Sequence, residues 1–177
     1  MITHLMKKPD PKKKIILDAD VIIHFCKGEA IGLLPGIYKN KIFIPDIVYY
    51  ESLSHQYKAE IDNLLSFKLV SELTITSEKE VLVEYNRLRK QYGKGESACM
   101  AYCRFHHDVI GSSNLKDIKT YCETHRIDYL TTMDFLAEAY NLGVMDEGNC
   151  DFFIYKVKQK GSRLPYNTIR DYLDNNR

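Results

Sequence analysis

The run "KIILDADVII" at positions 14–23 constrains this chain more than any other feature, because its β-branched and aliphatic residues occupy successive positions rather than alternate ones. A strand built from such a run buries both faces, which requires helices on either side of its sheet. The strand is predicted to end near Asp18, where two acids interrupt the run. Four further short apolar segments follow: "KIFIP" (41–45), "KLVSEL" (68–73), "DVIGSS" (108–113) and "DYLTT" (128–132). Longer stretches with helical spacing separate them. The alternation predicts an α/β fold with a central parallel sheet of four to five strands. Helices are expected at about 46–52, 57–67, 78–91, 96–107, 115–125 and 132–142, with weaker helical signals in 148–177. In "EKEVLVEYNRLRK", Val81, Tyr85 and Leu88 share one face, and acids precede bases as a helix dipole favours.

At 177 residues the chain suits one domain. Residues 15–143 read as its core, preceded by a basic tail (1–14) and followed by a basic C-terminal extension (144–177) packed on or trailing it. No apolar run approaches the ~18 residues of a membrane span, and "MITHLMKKPDPKKK" lacks the apolar centre of a secretory signal, so cytoplasmic residence is the expected default. Five cysteines (26, 99, 103, 122 and 150) include no CxxC pair and one is left over, which argues against a disulfide framework. Cys99 and Cys103 lie one helical turn apart without a nearby His or second Cys pair, so core packing is expected for them rather than zinc.

The net charge of +1 conceals an uneven distribution: each end segment, 1–14 and 156–177, carries +4, leaving −7 on 15–155. Basic ends around an acidic body suit a carboxylate site that needs cations, flanked by segments able to attract a polyanion, although basic ends also serve simply as solubilising tails.

Ligands of open α/β sheets bind outside the carboxyl ends of the strands, so acids placed there are the candidates. Asp18 and Asp20 follow the first strand, Glu51 follows "KIFIPDIV", Asp117 follows "DVIGSSN" and Asp134 follows "DYLTT". Glu96 stands in "GKGESACMAYC", where Gly93 and Gly95 suit a turn into a helix. A carboxylate in a first helical turn gains ~0.3–1 kcal/mol from the dipole, a sufficient structural reason for any one of these acids. Gathered together they need another explanation. Two unit charges ~4 Å apart repel by about 4 kcal/mol at an effective dielectric of ~20, so a cluster calls for a cation. Mg²⁺ or Mn²⁺ takes oxygen ligands, binds phosphate oxygens and activates water, which points to phosphodiester hydrolysis.

In order along the chain, "hhhDADVI" after a lysine run, "IPxxVxxE", "GxGExxxMA" and "SSNLKDIKxYC" resemble the PIN domain family of metal-dependent nucleases over about 15–135. The resemblance implies a three-layer α/β/α fold, with Asp18, Glu51 and Glu96 as the first three catalytic acids. The family often has Thr or Ser, a variable residue and Asp after the fourth strand, where this chain reads Ser113, Asn114, Leu115. Asp117 is placed to supply the missing carboxylate, or Asn114 a neutral oxygen. Asp20 adds an acid where the family usually has Asn. The implied ion-binding set is Asp18, Glu96, Asp117 and Asp20, a second ion depending more on Asp117 or Asp134. The implied activity is RNA hydrolysis with Mg²⁺ or Mn²⁺, in the setting of a toxin–antitoxin pair. Homodimerisation and inhibition by an antitoxin protein are further family habits. A catalytically degenerate RNA- or protein-binding module and a small phosphoester hydrolase are the competing readings.

Lys90, Lys94, Arg104, Lys116 and Lys119 flank the acidic segments and are candidates for phosphate contact. Tyr49, Tyr50 and Tyr57 cluster near Glu51; aromatic faces can stack on unpaired bases, but packing is the expected role for such rings. His24 is likewise expected to pack.

Overall fold

The structure, a computed structural model, describes residues 8–176, so the first seven residues of the basic tail and Arg177 lie outside the described residues. β1 (Ile15–Leu17) is fully buried, and the chain leaves it directly into α1 (Ala19–Lys27). The long apolar run is therefore strand in its first part and helix in its second, and this helix was not expected. Asp18 makes the switch: its backbone is extended, and its side chain accepts a hydrogen bond from Ala19 N at 2.7 Å as an N-cap. Val21, Ile22 and Phe25 then bury one face of α1, a pattern that periodicity cannot separate from strand over so short a run.

The remaining elements are α2 (Leu34–Ile37), β2 (Ile42–Pro45), α3 (His55–Ser66), β3 (Ser71–Leu73), α4 (Lys79–Leu88), α5 (Lys94–His106), β4 (Val109–Gly111), α6 (Leu115–His125), β5 (Tyr129–Leu130), α7 (Thr132–Asn141), α8 (Glu147–Gln159) and α9 (Ile169–Asn175). The segment expected as a helix at 46–52 is wound more loosely, with a π-helical turn over Val48–Ser52.

All strand pairs are parallel, in the order β3-β2-β1-β4-β5. Ile15 lies opposite Ile42 on one side and Val109 on the other. The chain thus builds outward from β1 through β2 to β3, then returns to add β4 and β5 on the opposite side. The reversal lies between β1 and β4, where a parallel sheet opens a crevice at its carboxyl ends.

Helices cover both faces, completing the α/β/α layering. α5 crosses β1, β2 and β4 with α4 and α6 beside it, while α1, α2, α7, α8 and α9 form a second group. One buried carboxylate ties the first group together. Glu84 of α4 receives both Nε and Nη2 of Arg87 (2.8 and 2.7 Å), Arg104 of α5 (2.7 Å) and the Tyr121 hydroxyl of α6 (2.7 Å).

In the second group, α8 lies against α1, with the Phe153 ring 5.1 Å from that of Phe25. A side chain at Gly28, which caps α1, would run into the Phe153 ring, so the close approach of the two helices depends on that glycine. Cys150, Ile154 and Val157 join Phe153 in the continuous core. None of the five cysteines forms a disulfide among the described residues, and four of them are buried. No helix among the described residues is long and apolar enough to cross a membrane.

Candidate functional site

Asp18 and Asp20 leave the carboxyl end of β1 at the reversal point, and the loop after β4 meets them. Ser112 Oγ lies 3.4 Å from both Asp18 Oδ2 and Asp20 Oδ2, and Ser113 N donates to Asp20 Oδ2 at 2.7 Å. Asp18 is 3% exposed. Burial first, then the charges of Asp20 and Glu96, hold its carboxyl well above the ordinary range. Burial likewise raises Asp20 to about 6, against hydrogen bonds from the Ser113 and Val21 amides that favour its charged form.

Glu96 comes from the first turn of α5. That helix enters closely because of Gly95: a Cβ there would collide with Asp18 Oδ1 and lie 3.5 Å from Ser52 Oγ. Gly95→Ala should therefore displace Asp18. Overpacking costs ~1–3 kcal/mol, which outweighs the ~1 kcal/mol that Ala gains over Gly in a helix interior, and Gly95 sits only in the first turn. Denaturant unfolding should show a net loss of stability, and a more stable Ala variant would mean that Asp18 yields without cost.

On the far side of Glu96, the Asn114 amide donates to Glu96 Oε1 at 3.0 Å and to Asp117 Oδ2 at 2.7 Å. A neutral amide thus bridges two carboxylates. Leu115, where the resemblance leads one to expect Asp, is 38% exposed at the start of α6, and Asp117 lies in the first turn of the same helix. Asp18, Asp20, Glu96 and Asp117 are brought together around the β4 loop as two pairs, one linked by Ser112 and the other by Asn114. As the side chains stand, no group of three or more His, Cys, Asp or Glu among the described residues is arranged to hold a metal ion. The donor set nevertheless fits one chemically: it is all oxygen, from one buried and three half-buried carboxylates, and the charges of Asp20 and Glu96 raise the proton affinity of Asp18.

Glu51 stands at the edge, on the π-helical turn, in an ion pair with Lys94 from the start of α5. Asp134 is engaged elsewhere: its Oδ2 accepts from Thr131 N and Oγ1, forming a capping box on α7, and Tyr172 donates to its Oδ1 at 2.7 Å. Arg104 does not face the acids as a phosphate contact, since it lies near the other end of α5 and binds Glu84. Lys119 lies 4.0 Å from Glu123 on its own helix.

Two participants went unnoticed in the sequence, Ser112 and Thr132. Thr132 Oγ1 lies 2.8 Å from both His24 Nδ1 and Ser113 Oγ, and Thr132 N donates to Ser113 Oγ at 2.8 Å. His24 packs as expected, yet through Thr132 it also steadies the loop that holds Asp20. Its burial lowers the imidazole to about 4, so the ring is neutral near pH 7.

A parallel sheet with helices on both faces and carboxylates gathered beside its reversal defines a three-layer α/β domain with an acidic site at the carboxyl edge. The family model DUF3368, described as a PIN domain, matches residues 14–176, and the chain belongs to the PIN domain family. The fold is accordingly of nuclease type, in a family whose domains generally use divalent metal ions. No curated protein matches the chain.

Proposed function

We propose that the protein is an endoribonuclease dependent on Mg²⁺ or Mn²⁺, with Asp18, Asp20, Glu96 and Asp117 as the acids that would hold the ion. Glu51 serves as a further acid at the edge of the site. One observation carries this reading: among the described residues, none of the ten ion pairs involves any of those four gathered carboxylates. Unneutralised, such a cluster is costly at several kcal/mol per close pair, and a divalent cation offsets that cost.

When bound, the ion supplies charge neutralisation and activation of water for in-line attack on phosphorus. The chain's own residues set the geometry: Ser112 and Ser113 orient the first two acids, Gly95 admits Glu96, and Asn114 can turn its oxygen inward in place of its amide hydrogens. Lys94, released from Glu51, is placed to meet a phosphate oxygen. The toxin half of a toxin–antitoxin pair is the biological setting that fits a small nuclease of this family.

The test is cleavage of a mixed structured RNA pool by the purified chain in Mn²⁺, Mg²⁺ or EDTA, alongside Glu96→Gln. Cutting that requires the metal and is lost in the variant is the expected result. Equal behaviour of wild type and variant in every metal would remove the assignment, and turnover of small phosphoesters alone would redirect it.

A further inference from the structure

Packing was the expected role for the tyrosines near Glu51, and Tyr49 and Tyr57 do pack partly buried against the core. Tyr50 does not: it is 62% exposed. We infer that the exposed ring of Tyr50 is a stacking platform for an unpaired RNA base beside the acidic site. This rests on the ribonuclease reading above.

Position is the first ground. Tyr50 lies on the π-helical turn at the carboxyl end of β2, the neighbour of β1, and so on the same rim as the acids. Glu51, the next residue, pairs with Lys94, and Ser52 Oγ lies beside the point where Gly95 meets Asp18. A nucleotide whose phosphate sits over the acids therefore has its neighbouring base within reach of this rim.

Support of the ring is the second ground. Tyr49 meets Tyr50 edge to face, with centroids 4.9 Å apart and planes at 81°, and is itself anchored by a hydrogen bond from its hydroxyl to Asp62. Lys58 donates to Tyr50 O at 3.1 Å, while its ammonium lies 5.9 Å from the Tyr50 ring centroid and 5.5 Å from that of Tyr49. The ring is thus exposed yet held, with Lys58 beside it, and Lys94 paired with the adjacent Glu51, as partners for a polyanion.

Base faces within a duplex are already stacked on one another, so only an unpaired base can use such a ring. The same consideration favours a nucleic-acid strand over a protein partner, because the cations and the acids flank the ring on one rim.

Binding, rather than cleavage, tests this. A labelled single-stranded oligoribonucleotide and the duplex formed from it are titrated in Mn²⁺ with the full chain carrying Glu96→Gln, so that cleavage does not consume the probe. Adding Tyr50→Ala should weaken single-strand binding about tenfold or more, Tyr50→Phe should retain it, and duplex binding should not change. Unchanged single-strand affinity in Tyr50→Ala overturns the platform, as does an equal loss for both probes, which would make the ring a general surface contact. Either result leaves the ribonuclease reading standing if Glu96→Gln abolishes cleavage. Failure of the Glu96→Gln chain, with Tyr50 intact, to bind either RNA, together with absence of wild-type cleavage, would overturn both.

Discussion

Asp18→Asn is expected to make the metal-free protein more stable while abolishing the RNA cleavage proposed for it. Asn caps a helix as well as Asp does, so the bond from Ala19 N to the side-chain oxygen of position 18 is retained. What disappears is a buried negative charge beside Asp20 and Glu96. The gain should be roughly 1–3 kcal/mol, below the ~4 kcal/mol of two bare charges ~4 Å apart because burial already favours the neutral carboxyl. Thermal unfolding in EDTA measures it. In Mn²⁺ the order should reverse, since the ion stabilises only a chain that binds it, and RNA cleavage should fall by ~10²–10³-fold or more, the scale of losing one charge-stabilising group at a reacting centre. A variant that is less stable in EDTA would show that the structural contacts of Asp18 outweigh the cost of the charge it buries.

Glu84→Ala should produce the largest loss of stability. The carboxylate is 5% exposed and accepts from three helices' worth of partners, so its removal leaves Arg104 and Tyr121 without their shared acceptor. Breaking a buried pair from one side costs ~3–5 kcal/mol, and roughly 2–4 kcal/mol is expected here because Arg87 remains half exposed and can be rehydrated. The effect has a defined pH dependence. The bidentate Arg87 contact, followed by the Tyr121 and Arg104 bonds and opposed by burial, lowers the carboxyl from an ordinary value of 4.5 to about 2. A depressed carboxyl stabilises the fold fully above its unfolded pKa and loses that contribution as pH falls towards the folded one. The gap in denaturant midpoint between wild type and Glu84→Ala should therefore be constant above about pH 5 and shrink towards pH 2. A gap independent of pH would assign the loss to packing rather than to the ion pairs.

Neither residue's full role could be read in one dimension. Asp18 was legible as an acid ending a buried strand, because hydrophobic runs and their interruptions are local features. Its second task, capping α1, was hidden because the apolar residues on both sides of it look alike whether strand or helix. Glu84 looked like one of several acids on an amphipathic helix, and only the approach of α5 and α6 turned it into a buried hub. That approach also drew Arg104 away from the acidic site, although its sequence neighbours suggested a phosphate contact. α6 lies where expected, at 115–125, since its start, its apolar face and its end are all encoded within eleven residues.

The sequence by itself determined the layered α/β class and the parallel sheet, through short two-faced apolar runs separated by helical spacing. It also determined which acids stand at strand ends. The tertiary structure alone decided how they are held: Ser112 shared between Asp18 and Asp20, Asn114 bridging Glu96 and Asp117, Glu51 with Lys94, and Asp134 in the cap of α7. It also left Tyr50 in solvent while its neighbours packed. The physical reason is range. Periodicity and turn propensity act over a few residues and are written in neighbouring letters, whereas burial, hydrogen-bond partnership and charge interaction depend on distances between segments that only the sheet order brings together.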